Sequence, residues 1–218
     1  MRVAVLVYSL VMTIKLAIFD FDGTLADSYA VFADSVNVLA GRHGFRQVQW
    51  DEQHKLRGMS ASELLRELRL PPWKVPAVMA DFRNILQRHI HDIHPFPGVV
   101  DALHALLDKH MPLALATSNT LQNVTTVLGD ALIGRFVMVE CGTSLFGKSH
   151  RLRRILKHTR VANTEAIYVG DEIRDAEAAN DAGMMFGAVA WGYTTMEALL
   201  RTRPGRLFRM PADMLELG

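Results

Sequence analysis

The sequence predicts an α/β fold: a parallel sheet with helices on both faces and an all-helical segment inserted after its first strand. Three observations lead there. Short runs that are apolar throughout, "PLALATS" (112–118), "FVMVEC" (136–141), "AIYVG" (166–170) and "FGAVAW" (186–191), are bounded by turn residues, as strands buried on both faces are. Helical patterns alternate with them: "VVDALHALLDKH" before the first, then "TLQNVTTVLGDAL", "SHRLRRILKHT" and "RDAEAANDAG". The strand at 14–20 departs from this rhythm, because roughly 70 residues without a strand pattern follow it.

Strand–helix alternation builds a Rossmann-like sheet, and the elements follow in order. The first strand ends in "DFDGT" (20–24). Residues 27–43 read as a helix with Gly41 and Gly44 near its end. "SASELLRELRL" (60–70) opens with a capping box, Ser60 three residues before Glu63. Residues 73–94 form a further helical pattern, which "HPFPG" (94–98) breaks with two prolines and a glycine. The expected organisation is a core of residues 1–26 and 95–218, with a helical domain over 27–94. That insert would sit at the carboxyl ends of the strands, where open α/β sheets bind ligands.

Composition narrows the functional classes. The chain has 218 residues, about half of them hydrophobic, enough for a sizeable core. With 24 basic and 23 acidic residues, the net charge of +1 gives no footprint for nucleic acid. Cys141 is the single cysteine, so no internal disulfide forms, which fits a cytoplasmic setting. An apolar run, "VAVLVYSLVM" (3–12), lies behind Arg2 and is similar to the middle of a signal peptide. No small-residue cleavage site follows before Lys15, and ten apolar residues are too few to span a bilayer. An extra edge segment, or a natural start at Met12, accounts for the run without a membrane.

The polar residues gather at strand ends. The first strand ends in Asp20 and Asp22, the second in Thr117, Ser118 and Asn119; Lys148 follows the third, and Asp171 closes the fourth with Asp175 four residues on. Carboxylates two apart repel unless a cation lies between them. Two or three such acids suit Mg²⁺, a hard cation that prefers oxygen. One carboxylate can attack phosphorus while a second exchanges protons. A hydroxyl, backbone N–H groups and a lysine can hold phosphoryl oxygens as their charge redistributes.

In this order and spacing, "FDFDGTLADS" (19–28), "ATSN" (116–119), Lys148 and "VGDEIRD" (169–175) resemble the four motifs of the haloacid dehalogenase superfamily, in its phosphatase branch. The resemblance covers nearly the whole chain and extends to "WGYTT" (191–195) and "RLFRMPADML" (206–215), similar to the closing strands and helix. It implies that Asp20 is the nucleophile and Asp22 the general acid/base, with the Asp22 backbone carbonyl on Mg²⁺. Thr117, with the amides around Ser118 and Asn119, would hold phosphate, and Lys148 would offset charge between nucleophile and phosphoryl group. Asp171 would ligate Mg²⁺, and Asp175 would sit in its outer shell or orient Lys148. The helical insert corresponds to a mobile cap. Asp22 stands where the family's dehalogenases lack a carboxylate, which favours phosphate transfer. Ser149 follows Lys148 where the family commonly has proline, leaving Lys157 as a distant alternative.

Other features carry competing readings. In "KLRGMS" (55–60), Arg57 could grip a second anionic group on the substrate, or simply be a cation placed to suit a helix end. Acids in "RDAEAAND" also suit a helix start, so Asp175 has a structural alternative. His89, His91 and His94 invite a metal reading, but His89 and His91 point apart on a helix and a solvated hinge is the simpler account. Cys141 reads as a small core residue, and the aromatic-rich "WGYTT" either touches the site or, more simply, packs in the core.

The expected function is Mg²⁺-dependent hydrolysis of a small phosphorylated metabolite through an aspartyl-phosphate, with phosphoglycolate-like substrates first. The rivals are a phosphosugar mutase using the same covalent step, and a phosphate-binding regulator without turnover. No nucleic-acid or membrane partner is expected, and the oligomeric state is left open.

Overall fold

The computed structural model describes residues 13–142 and 147–218. The apolar run at 3–12, expected as an edge segment or an upstream start, lies outside the described residues. Six parallel strands form the sheet: β1 (Leu16–Phe19), β2 (Leu113–Thr117), β3 (Met138–Cys141), β4 (Ala166–Gly170), β5 (Met185–Val189) and β6 (Arg206–Phe208), in the order β3-β2-β1-β4-β5-β6. β1 is central, pairing with β2 on one side and β4 on the other. The order reverses on either side of β1, so the crevice at its carboxyl end lies at a topological switch point.

Alternation within each strand divides the core into two layers. Ala17 and Phe19 of β1 join Leu113, Leu115, Ile167 and Val169 on one face, against α5 (Val99–Asp108) and the closing 3₁₀ turn Pro211–Leu217. Leu16 and Ile18 join Ala114, Ala116 and Tyr168 on the other, against α8 (Lys148–Thr159) and α9 (Ile173–Ala182). Every residue of β1, β2 and β4 is buried, which is why their sequences are apolar without alternation. The remaining core helices are α6 (Leu121–Leu128), α7 (Asp130–Ile133) and α10 (Met196–Arg201). The expected single helix at 120–132 is thus interrupted at Gly129. "WGYTT" forms a loop after β5 rather than a strand.

Between β1 and α5 the chain is helical: α1 (Tyr29–His43), α2 (Gln53–Leu56), α3 (Ala61–Glu67) and α4 (Val75–Arg88), with short 3₁₀ turns. Ser60 caps α3 with the reciprocal Glu63 contact that the sequence predicts. Leu39, Leu68, Leu70, Val75, Val78 and Ile85 form an apolar cluster of their own. The helical layer leaves and rejoins the sheet by two segments that pair with each other. Asp27 N–H donates to His94 O (2.9 Å), Phe96 N–H donates to Leu25 O (3.0 Å), and Ala26 bridges Pro95 antiparallel.

Deleting a core side chain on β1 should cost far more than deleting a larger one outside the core. Ile18→Ala should lower stability by about 2–5 kcal/mol, whereas Trp50→Ala, at a position 85% exposed, should change it by less than about 0.5 kcal/mol. Urea denaturation of both variants checks this; equal losses would contradict the burial pattern.

Candidate active site

The strand ends deliver their polar groups to one edge of the sheet. Asp20 follows β1 directly and is 2% exposed, and its N–H donates to Val169 O (2.9 Å). Phe21 turns into the core and is fully buried, while Asp22 comes back to the cleft side, partly exposed. The turn then needs a residue without a side chain. Gly23 has φ +75°, and a Cβ there would stand 2.2 Å from Asp171 Oδ2. An L-residue would meet both backbone strain and a carboxylate, which gives the glycine of "DFDGT" its physical reason.

Lys148, the first residue of α8, is buried and donates from Nζ to Asp20 Oδ2 (2.6 Å) and to Asp175 Oδ1. The other oxygen of Asp175 accepts the N–H groups of Asp171 (3.2 Å) and Glu172 (3.0 Å), so it caps α9 as well as holding the lysine. Both sequence readings of Asp175, helix start and site residue, describe one side chain. Asp171 is fully buried, with Oδ1 accepting from Thr24 Oγ1 (2.9 Å) and Oδ2 from Tyr193 N–H (2.7 Å). Asp20, Asp171 and Asp175 place one oxygen each within 4.8 Å of one another, a set that suits a hard cation. The second oxygen of Asp20 makes no hydrogen bond among the described residues.

Electrostatics follow from crowding. Burial pushes the Asp171 carboxyl up to about 8, with Asp175 and Asp20 adding repulsion and the Tyr193 and Thr24 hydrogen bonds opposing it. Burial also raises Asp20 to about 6, against the pull of the Lys148 charge. Asp22 is raised by burial too, and held back by hydrogen bonds from Asn119 and Ser28.

A cleft of about 620 Å³ opens over these groups and is lined by Asp22, Ser118, Asn119, Lys148 and Arg174 from the core and by largely apolar side chains from the helical layer. Thr117, at the end of β2, is buried and accepts Asn119 N–H on Oγ1 (3.0 Å). Asn119, expected near phosphate, turns its side-chain amide to both oxygens of Asp22 (3.2 and 3.0 Å). Lys157 lies exposed in the last turn of α8, and the lysine that meets the acids is Lys148.

Several expectations change. Arg57 does not line the cleft: its guanidinium donates from Nε to Tyr193 O (2.7 Å) and from Nη2 to Gly192 O (2.8 Å). Two adjacent loop carbonyls match the planar fork that a carboxylate would otherwise occupy. "WGYTT", expected as packing, reaches the acids. Beyond the Tyr193 N–H bond to Asp171, the Tyr193 hydroxyl contacts Ser28 Oγ (2.7 Å), and Ser28 Oγ donates to Asp22 Oδ1 (3.0 Å). Trp191 Nε1 donates to Thr24 O (3.0 Å). Arg174, unremarked in the sequence reading, pairs with Glu172, and its charge lowers the pKa of both Asp20 and Asp22. The signal for Tyr193 was available: an aromatic beside a glycine immediately after a strand end. Among the described residues His89, His91 and His94 are exposed and join no cation-holding cluster, and His89 pairs with Asp92 (3.1 Å). Burial pushes the Cys141 thiol up to about 11, and it packs against the core.

Comparison with known proteins bears on this geometry. A family model described as haloacid dehalogenase-like hydrolase matches residues 17–189. A phosphoglycolate phosphatase of Synechococcus elongatus is 32% identical over 204 residues, covering 91% of this chain and 94% of its own length. One from Agrobacterium fabrum is 30% identical over 190 residues, covering 82% of each. Among solved structures, a haloacid dehalogenase-like hydrolase from Streptococcus pneumoniae has a TM-score of 0.75 at 20% identity, covering 93% of this chain and 97% of its own. CbbY from Rhodobacter sphaeroides, solved with phosphate, has a TM-score of 0.70 at 21% identity, covering 93% and 96%. At that identity, the two solved structures carry the fold alone.

Acid crowding gives a stability prediction. With the folded-state carboxyl of Asp171 raised to about 8, its contribution is fully present below the ordinary carboxylate range and is lost as pH rises through about 8. In Asp171→Asn, the amide oxygen can accept Tyr193 N–H and the amide nitrogen can donate to Thr24, whose hydroxyl turns. With a chelator present, this variant should melt roughly 2–4 °C above wild type near pH 9 for each ~1 kcal/mol of repulsion removed. The gap should narrow near pH 6. Equal melting temperatures at high pH would contradict the crowding.

Proposed function

The chain belongs to the haloacid dehalogenase-like hydrolase family, and on that premise we propose that it hydrolyses a small phosphate monoester through a phosphorylated Asp20. The chain is a phosphatase of the phosphoglycolate phosphatase-like kind; the covalent route, the metal and the residue roles are our reading. The observation that carries it is the separation of two carboxyls two residues apart. Asp20 lies against the Lys148 ammonium, while Asp22 is turned to the cleft and held by neutral donors, Asn119 and Ser28. Burial raises both acids, and at Asp20 the adjacent ammonium charge is what chiefly opposes that rise and favours the ionised form. Asp22, with its pKa raised, can carry a proton.

In this reading a carboxylate oxygen of Asp20 attacks phosphorus as the bond to the ester oxygen breaks. Asp22 gives its proton to that departing oxygen. The Asp22 carboxylate then takes a proton from water, whose oxygen attacks phosphorus, releasing phosphate and restoring Asp20. Lys148 and the Ser118 N–H hold the phosphoryl oxygens, the Asn119 N–H being bonded to Thr117 Oγ1, since fixed donors act most strongly where water is excluded. The carboxylates of Asp20 and Asp171 and the main-chain carbonyl of Asp22 would hold Mg²⁺, which supplies the positive charge that a single ammonium among three buried acids does not. Asp175 positions Lys148. Among the described residues, 27–94 act as the cap and those flanking them in the chain as the core.

Phosphoglycolate is the first substrate to test, because curated relatives carry that name. Wild type with Mg²⁺ should release inorganic phosphate from 2-phosphoglycolate and from an aryl phosphate, and lose that activity in a chelator. Asp22→Asn should lower kcat by about 10²–10⁴-fold, and Asp20→Asn should abolish turnover and the covalent intermediate. An Asp20→Asn enzyme with wild-type rates would remove Asp20 from its assigned role. Isomerised sugar phosphate in place of free phosphate would point to a mutase.

A further inference from the structure

Arg57 lies in the helical layer, in the turn that follows α2, yet it is bound to the core. Its Nε and Nη2 hold the carbonyls of Tyr193 and Gly192, and its guanidinium carbon sits 4.7 Å from the centroid of the Tyr29 ring. The contact is reciprocal: Thr195 N–H donates to Arg57 O (3.1 Å), and Arg201 Nη2 donates to Gly58 O (3.3 Å). The segment 57–58 and the loop 192–195 are therefore tied by three hydrogen bonds of fixed direction, with a fourth to the segment from Arg201 of α10.

The loop so gripped is the one that touches both acids. Tyr193 N–H sets one oxygen of Asp171. Ser28 gives its proton to Asp22, so at that contact the Tyr193 hydroxyl is the donor to Ser28 Oγ, and the order Tyr193 to Ser28 to Asp22 is fixed. There is no slack at the other end. A Cβ on Gly192 would lie 2.2 Å from Asp171 Cβ and 2.4 Å from Gly23 O, so the loop backbone bears directly on the Asp171 side chain and the Gly23 turn. A displacement of the two carbonyls that Arg57 holds is passed to Asp171 through one N–H and to Asp22 through two hydroxyls.

We infer that Arg57 is a positioning residue, setting the reaction centre through loop 191–195 instead of gripping the substrate. Its kinetic consequence rests on the phosphatase reading; its structural consequence does not. Arg57→Ala loosens the loop, misplacing Asp171 and Asp22 together. Arg57→Lys, with one compact donor group in place of a two-pronged fork, restores part of the effect.

The test has two arms. In the first, kcat and KM are measured for an aryl phosphate without a second anionic group and for 2-phosphoglycolate, which has one. Arg57→Ala should lower kcat about 10- to 100-fold on both substrates, the scale of a small misplacement, with KM within about threefold. Arg57→Lys should fall between Arg57→Ala and wild type. Tyr193→Phe should also lower kcat, and the double variant should lose less than the product of the two singles. A rise in KM for 2-phosphoglycolate alone, with the aryl phosphate untouched, would show substrate contact and overturn the inference. The second arm is amide hydrogen exchange without substrate. Arg57→Ala should speed exchange across 191–195 by about tenfold or more while the β2 amides stay protected. Unchanged exchange in that loop would overturn the inference whatever the kinetics. This arm needs no turnover, so a wild type inactive on both substrates would count against the phosphatase reading and leave the positioning claim to be decided by exchange.

Discussion

A single ammonium shared among buried carboxylates is the constraint on which the rest of this structure depends. Lys148 binds Asp20 and Asp175, and Asp171 stands within reach of both without a cation of its own. Buried charges are tolerated when paired and hydrogen-bonded, and the surroundings meet that condition one oxygen at a time. Asp175 takes two backbone N–H groups at the start of α9, and Asp171 takes a hydroxyl and a backbone N–H. What remains uncompensated is negative charge, on a set of oxygens that suits a hard cation.

The sheet makes this arrangement possible by taking no part in it. β1, β2 and β4 are buried along their whole length, so their ends are held by packing on both faces. The polar groups begin where the packing stops. Asp20 and Asp171 leave neighbouring paired strands, one residue past Phe19 and two past its partner Val169, which brings acids 151 residues apart in sequence into one cluster. The preorganisation is a consequence of register, and it exists before any ligand arrives.

Much of this was legible in the sequence because it follows local rules. Strands buried on both faces announce themselves as unbroken apolar runs, and Asp20, Thr117 and Asp171 stand out as the first polar residues after them. Ser60 and Glu63 mark a helix start by spacing alone. What was not legible depends on tertiary distance. Nothing near Asn119 says that its side chain will turn to Asp22, and nothing near Arg57 says that its partners are carbonyls at 192 and 193. Tyr193 sits in a loop without periodicity, and its contact with Ser28 spans 165 positions. The sequence reading of Arg57 used the chemistry of a planar fork seeking two oxygens, and in this structure those oxygens are the carbonyls of Gly192 and Tyr193.

The paired segments that join the helical layer to the sheet set the mechanics of the whole molecule. Leu25 to Asp27 and His94 to Phe96 are bonded to each other across both crossings, so the layer is mounted on a single narrow ribbon. A ribbon bends across its face far more readily than within its plane, which leaves one soft rotation and makes the others stiff. Arg57 fastens the layer to the core at a second point, beyond the cleft. A body hinged along one line and held at another resists rotation, so the placement of the helical layer is coupled to the loop that bonds Asp171 directly and reaches Asp22 through Ser28. The same few contacts that seat the helical layer on the core thus also bear on the strand-end carboxylates.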